Sequence, residues 1–502
     1  MLRKIRVAVA VLMLATVTFY FIDFAGFLPW QTHALMHLQL IPALLALNIG
    51  VLVFLFLLTL LFGRAYCSFI CPLGIWQDMI SWLSKKLNKK KKYKFTKAKS
   101  ILRYTLLAIV IVAFLSGLTV VLGLLDPYSI YGRISVNVFK PVYLLGNNLL
   151  ATILEKFQNY DLYMMDVAVR SLVSLIVAIL SLGIVSILSY KYGRLYCNSI
   201  CPVGTFLGVI SKYSLFKVRI NKDTCNSCGL CETKCKSSCI SSKEHTIDYS
   251  RCVDCFSCLQ VCKKKALSFT YASSKKEQTV NDGRRAFLTL TGVGLAALPM
   301  AKAKETTAFL TNKKAYKKQH PLTPPGSVST EHLLEHCTAC HLCVSKCPSH
   351  VLTPAFLEYG LGGVMQPRMS FEKGFCNYDC TVCSSVCPNG AILPLTKEQK
   401  HLTQMGKVVF VLDNCIVHTD GTSCGACSEH CPTQAVSMKP YKGGLTIPTT
   451  NPDICVGCGG CEYVCPAKPY KAIYIEGNVV QQKAKPIEVI HQKEVDVDNF
   501  GF

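Results

Sequence analysis

The 502-residue chain contains no G-x-G-x-x-G fingerprint, so nothing in it marks a flavin or nicotinamide site. Any electrons it handles must come from a lipid-soluble carrier or a protein partner. Beyond residue 200 no apolar run is as long as those before it. Acidic residues are scarce: 30 Asp and Glu stand against 54 Lys and Arg, a formal charge of +24. That excess is not a nucleic-acid signature. Nine lysines crowd between Arg64 and Arg103, the pattern of a cytoplasmic loop beside a membrane, and metal-bound thiolates offset much of the remainder.

What the chain has in abundance is cysteine, 29 in all. Four runs follow C-x2-C-x2-C-x3-C: Cys225, Cys228, Cys231, Cys235; Cys252, Cys255, Cys258, Cys262; Cys337, Cys340, Cys343, Cys347; and Cys455, Cys458, Cys461, Cys465. Two variants keep the C-x2-C-x3-C core: Cys376, Cys380, Cys383, Cys387 and Cys415, Cys424, Cys427, Cys431. Three closely spaced thiolates reach three irons of one [4Fe-4S] cube, and the fourth cysteine ligates a neighbouring cube, so the runs work in pairs. Six clusters are expected, and they would offset about 12 of the positive charges. The pairing within the C-terminal half, adjacent or nested, stays open. A disulfide framework suits small secreted chains, and zinc knuckles need two C-x2-C units on a longer loop; neither fits.

The fold class expected is an α-helical membrane bundle, four spans plus a fifth signal-anchor, with α+β ferredoxin-like bicluster domains. The spans are residues 5–27, 39–62, 101–125 and 171–190, each about the 20 apolar residues a bilayer requires. Arg3, Lys4 and Arg6 put the N-terminus in the cytoplasm, and Lys191 and Arg194 mark the cytoplasmic end of the fourth span. Gly283-Arg284-Arg285-Ala286-Phe287-Leu288 then resembles a twin-arginine export signal, with Ala301-Lys302-Ala303 beyond it. The predicted domains are a membrane domain (1–220), a cytoplasmic two-cluster ferredoxin (221–270), a signal anchor and linker (271–330), a periplasmic four-cluster ferredoxin (331–480) and a polar tail (481–502).

Two segments repeat: Gly63-Arg64-Ala65-Tyr66-Cys67-Ser68-Phe69-Ile70-Cys71-Pro72 and Gly193-Arg194-Leu195-Tyr196-Cys197-Asn198-Ser199-Ile200-Cys201-Pro202. Cys67, Cys71, Cys197 and Cys201 are candidate redox thiols, metal ligands or walls of a quinone pocket. Cys239 is left over and stands where it could compete with Cys235 as a ligand.

With its paired G-R-x-Y-C-x3-C-P motifs and two trailing runs, residues 1 to about 270 resemble the NapH-type membrane ferredoxins of periplasmic nitrate reduction. The part from the twin arginines to about Glu476 is similar to the exported NapG-type ferredoxins, fused here to the first. The C-x3-C-P repeat is shared with nitrous-oxide-reductase regulators and copper-oxidase maturation ferredoxins. The resemblance implies a bacterial inner-membrane quinol dehydrogenase component that passes electrons from menaquinol to a periplasmic reductase. The alternative is a maturation or reactivation factor supplying electrons to metal or thiol sites of another redox protein. Quinol oxidation needs proton acceptors, for which His33, His37, Asp126 and Arg133 near the outer face are the candidates.

Overall fold

The computed structural model describes residues 2–271 and 313–486, apart from 24–26, 29, 89–91, 159 and 168. The twin-arginine segment at Arg284 and Arg285, with the fifth, signal-anchor span, lies outside the described residues, as do residues 487–502 of the tail.

Among the described residues, two helices are long and apolar enough to cross a membrane, Leu2–Ile22 and Leu172–Tyr192, each of 21 residues. The other two expected spans are broken into shorter helices, so the expected four-span bundle is not supported by helix length. Leu40–Leu45 and Ile49–Phe62 are separated where Leu47 turns left-handed (φ 51°) and Asn48 caps the second piece, its side chain accepting from the Val51 amide at 3.2 Å. Ser100–Leu115 and Thr119–Leu125 are separated at Gly117 (φ 79°). The 14-residue Ile49–Phe62 helix reaches only about 21 Å, short of a bilayer core of about 30 Å.

Each repeat follows one of these helices in the same way. Gly63 (φ 68°) and Gly193 (φ 73°) end Ile49–Phe62 and Leu172–Tyr192, a single helical turn carries the first cysteine, and Cys71 or Cys201 stands extended before a proline-started helix, Pro72–Leu87 or Pro202–Ser211. The glycines have a second constraint, because a Cβ on Gly193 would lie 2.4 Å from the Lys236 carbonyl oxygen.

Two cysteine-rich bodies sit at opposite ends of the helical core. At the Arg6 end, strand Phe216–Ile220 pairs antiparallel with Leu267–Tyr271 and encloses the helices Leu230–Lys234 and Ser257–Val261. This body therefore begins at 216, a few residues before the expected boundary. At the Asp23 end, Thr403–Phe410 pairs with Ile473–Lys483 and Val436–Pro440 with Thr446–Thr450. That body also takes in residues 313–330, expected to be linker: Leu322 and Thr323 are buried, and the Gly326 amide donates to Gln481 Oε1 at 3.0 Å. Its last strand runs to Lys483, into the expected tail. The Leu2–Ile22 helix spans the distance between the bodies. Arg6 meets Asp78 at one end, and at the other Ser345 Oγ donates to the Phe21 carbonyl at 2.6 Å, a rise of about 23 Å along the axis.

Asp78 ties the Arg6 end together. It is buried, and its carboxylate receives Arg6 Nη1 at 2.8 Å, Arg194 Nε at 2.8 Å and Lys236 Nζ at 3.4 Å, so the first helix, the second repeat and the cysteine body share one counter-ion. These cations hold its carboxyl well below the usual range against the opposing effect of burial. Asp78→Ala leaves three cations facing one another, and a loss of about 3–5 kcal/mol in unfolding free energy is expected. Thermal unfolding in detergent reads it, and an unchanged midpoint would show that the hub is not needed.

Candidate electron-transfer centres

Four of the runs turn in one way. The residue after the second cysteine is left-handed, Gly229, Phe256, His341 and Gly459 at φ 72°, 56°, 64° and 80°, and it starts a one-turn helix bearing the third cysteine. In the two variant runs Thr381 and Gly425 occupy that place without a positive φ. The fourth cysteine then leaves in extended backbone, away from its own run.

The structure places the departing cysteines with their neighbours' triplets. Cys387 stands with Cys337, Cys340 and Cys343, and Cys347 with Cys376 and Cys383. Cys465 joins Cys415 and Cys427, and Cys431 joins Cys455, Cys458 and Cys461. At the Arg6 end, Cys235 stands with Cys252 and Cys258. The order is therefore adjacent, with run three exchanging with four and five with six. Across the pairs, the Cys376 amide donates to the Cys458 carbonyl at 2.9 Å. Cys239 is fully buried, its Sγ 3.5 Å from that of Cys235, so the leftover cysteine lies beside a run member.

Burial pushes Cys337, Cys340, Cys343, Cys383 and Cys427 up, Cys340 and Cys427 to about 12, so these five stay protonated unless a cation holds them as thiolates. Backbone amides also point at sulfur, from Ala339 to Cys337 and from Ala472 to Cys465, each at 3.4 Å. Soft sulfur donors with N–H contacts suit iron–sulfur clusters. Among the described residues no three His, Cys, Asp or Glu converge on a single ion. A cube gives each thiolate its own iron and does not require such convergence.

Cys337-Thr338-Ala339-Cys340-His341 also has the C-x-x-C-H order of a haem attachment site. His341 Nε2 lies 3.0 Å from the Met365 carbonyl oxygen and Nδ1 3.2 Å from Asn137 Nδ2, so the ring is already engaged.

Cys67, Cys71, Cys197 and Cys201 come together, all buried, where the two repeats face each other. Arg64 Nη2 reaches across to the Cys197 carbonyl at 3.0 Å, and Arg194 Nη1 to the Cys67 carbonyl at 2.7 Å. Gln77 Nε2 donates to Cys197 Sγ at 3.1 Å and the Gly204 amide to Cys201 Sγ at 3.3 Å. Arg64, Arg194 and Gln77 escaped sequence reasoning, although the G-R-x-Y-C repeat contains two of them.

The expected quinone residues gather around the third and fourth runs. His33 and His37 form an edge-on pair with centroids 4.5 Å apart, His33 lying near the Val386 backbone. Burial lowers both. Asp126 Oδ2 accepts from the Ser129 amide at 2.8 Å, and Arg133 donates to the carbonyls of Ala339 at 3.3 Å and Gly123 at 2.9 Å. None of the four lines a nearby cavity of about 420 Å³, which Lys140, Leu144, Met165, Arg170, Val344 and His350 help enclose. There Lys140 Nζ donates to the Ser345 carbonyl at 2.6 Å and Arg170 Nη2 to His350 Nδ1 at 2.7 Å.

A 4Fe-4S binding domain family matches residues 44–90 and 174–222, and 4Fe-4S dicluster domain families match 248–351 and 422–468. The 248–351 match takes in runs two and three, which the structure sets at opposite ends. The ferredoxin-type protein NapF of Escherichia coli K12 is 27% identical over 162 residues, 32% of this chain and 90% of the relative. NapG of the same strain is 30% identical over 199 residues, 37% of this chain and 81% of NapG. The methylamine utilization ferredoxin-type protein MauM of Methylobacillus flagellatus is 31% identical over 156 residues, 29% and 63% of the two chains.

The exchanged fourth cysteines have a chemical readout. In Cys387→Ser, anaerobic alkylation followed by mass spectrometry is expected to label Cys337, Cys340 and Cys343 while Cys376, Cys380 and Cys383 stay protected. Labelling of the second triplet instead would mean that each run closes its own cube.

Proposed function

The chain belongs to the ferredoxin-type 4Fe-4S electron-transfer proteins related to NapF and NapG, and from that membership we propose that it is a membrane-bound carrier taking electrons from menaquinol to a periplasmic reductase. In this reading six [4Fe-4S] clusters are held by the 24 cysteines of the runs. The likeness to NapG favours a nitrate-reductase type of acceptor.

Membrane placement is supported by what the helices turn outward. Phe54, Phe56 and Leu57 on one, Ile109, Ile111 and Val112 on another, and Ile176, Ile179 and Leu180 on a third are exposed, an apolar girdle that water disfavours. Four crossings then comprise two straight helices and two broken ones, the breaks at Leu47 and Gly117 being exposed. With the Arg6 end cytoplasmic by charge, the Asp23 end and its cysteine body face the periplasm.

The observation that carries the quinol reading is the cavity at the Asp23 end. It joins apolar walls, Leu144, Met165 and Val344, to cationic and imidazole groups, and Val344 and Ser345 in its wall lie between Cys343 and Cys347. Clusters supply one-electron acceptance when bound. The residues' task is to orient the headgroup and take its protons. Burial lowers Lys140 to about 7 and lowers His350, so a neutral base is present near physiological pH. His33 and His37, beside Cys387, are the second position for the same role.

His350→Ala is expected to slow cluster reduction by a menaquinol analogue at least tenfold while dithionite reduction is unchanged. If His33→Ala has that effect and His350→Ala has none, the site lies at the histidine pair. Loss with neither removes the quinol reading. Because His350 is lowered from 6.5, the rate should be full above that value and fall only as the pH drops below it and the ring protonates. A rate that rises on acidification would exclude it as the base.

A further inference from the structure

We propose that Cys67, Cys71, Cys197 and Cys201 hold a seventh iron–sulfur cluster, shared between the two repeats, which joins the cluster bodies at either end into one conductor. The inference rests on the iron–sulfur reading above and adds a site to it.

Three independent observations point to the same centre. The first is geometry. Four buried sulfurs meet at the repeat interface, two from each side, and they accept N–H groups from Arg64 Nη2 (Cys67, 3.8 Å), Gln77 Nε2 (Cys197, 3.1 Å) and the Gly204 amide (Cys201, 3.3 Å). N–H contacts on sulfur also mark the runs themselves, at Cys337 and Cys465.

The second is charge. At this end of the core Arg6, Arg64, Arg103, Arg194 and Arg251 are all buried, against the carboxylates of Asp78, Asp254 and the half-buried Asp248, the last 2.6 Å from Arg251 Nε, so the cations still outnumber the anions five to three. Buried cations in excess require an anion. A cube with four thiolate ligands carries about −2 and supplies it where the arginines converge. Four neutral thiols or two disulfides supply nothing. The third is the family match. Within residues 44–90 and 174–222, matched as a 4Fe-4S binding domain, these four are the only cysteines.

The position is that of a bridge. Toward the Arg6 end, Asn198, next to Cys197, donates from Nδ2 to the Ser237 carbonyl at 3.2 Å, two residues past Cys235. Arg64 Nη1 donates to the Ser250 carbonyl at 3.0 Å, two residues before Cys252. Toward the Asp23 end, Tyr196 Oη donates to the Leu125 carbonyl at 2.8 Å. The following residue, Asp126, accepts from Ser129, whose Oγ lies 2.8 Å from Thr338 Oγ1 in the Cys337–Cys340 loop. The centre passes one electron at a time between the Cys337 side and the Cys235 and Cys252 side, with no bond made or broken, the donor being the quinol proposed above, for which dithionite substitutes in the assay.

Iron and acid-labile sulfide in the anaerobically purified full chain decide the question: about 28 of each per chain is expected, against about 24 for the runs alone. Cys67→Ser with Cys197→Ser should lose about four of each and one reducible signal by electron paramagnetic resonance. Gln77→Leu, which spares every ligand, should keep the iron and shift one midpoint potential downward. Iron at about 24 in wild type and double variant alike overturns the seventh cluster and leaves the runs standing, whereas eight or fewer overturns the iron–sulfur reading as a whole. Two disulfides among the four cysteines, found by differential alkylation, also overturn the seventh cluster. Should the double variant fail to fold, the wild-type count and the Gln77→Leu potential still decide.

Discussion

Everything in this chain is arranged around a reciprocal contact, the arginine of each repeat on the first-cysteine carbonyl of the other. The contact demands that both carbonyls turn inward, which is possible only if the residue two past each C-P proline has no side chain. A Cβ on Gly74 would stand 2.3 Å from the Cys67 carbonyl oxygen, and one on Gly204 the same distance from that of Cys197. The C-x3-C-P-x-G motif is thus a single backbone device. Once the repeats are locked, their G-R dipeptides present a floor to one cysteine body. Asp126 and Arg133, one hydrogen bond beyond Tyr196, carry the other.

Burying so many arginines is expensive, and the two ends meet the cost differently. At the Arg6 end a carboxylate is shared among three cations, an arrangement in which losing the anion costs more than losing any one partner. At the Asp23 end Arg133 and Lys140 rely on backbone carbonyls, that of Gly123 in the helical core and those of Ala339 and Ser345 within the run of Cys337 to Cys347. The cations at that end therefore act as docking pins, each reaching into a loop that frames a triplet of thiols. A cluster-bearing body seated in this way brings its own counter-charge.

The sequence made the cysteine runs legible because their chemistry is local: the spacing alone brings three thiols to one turn. Pairing was not legible, since adjacent and nested exchange use identical spacings and differ only in how Cys387 and Cys465 are carried through space. The helix breaks were hidden for another reason. Residues on both sides of Leu47 and Gly117 stay apolar, so hydropathy passes over a backbone turn. Residues 313–330 read as linker through their prolines and lysines, yet Leu322 and Thr323 are buried against strands distant in sequence. Lys140, Arg170 and His350 belong to no motif. Their meaning arises only when residues 140–170 are laid against the run of Cys343 and Cys347.

Exposure along the row of thiols suggests where electrons enter and leave. Cys228 is the exposed cysteine among those described, while Cys340, Cys343, Cys376, Cys383 and Cys461 sit within the hydrophobic core. At the far end Cys424 and Cys427 are half-buried and line a shallow apolar recess with Cys415, Phe410 and Pro448. A conductor whose middle lay open would lose electrons to any oxidant that touched it. Here the thiols of Cys340, Cys343, Cys347, Cys376, Cys383, Cys455 and Cys461 are buried, and among the described cysteines the surface is reached at Cys228. The same burial that forces the inner thiols to seek a cation also keeps oxidants from them, so stability and insulation follow from one arrangement of apolar side chains.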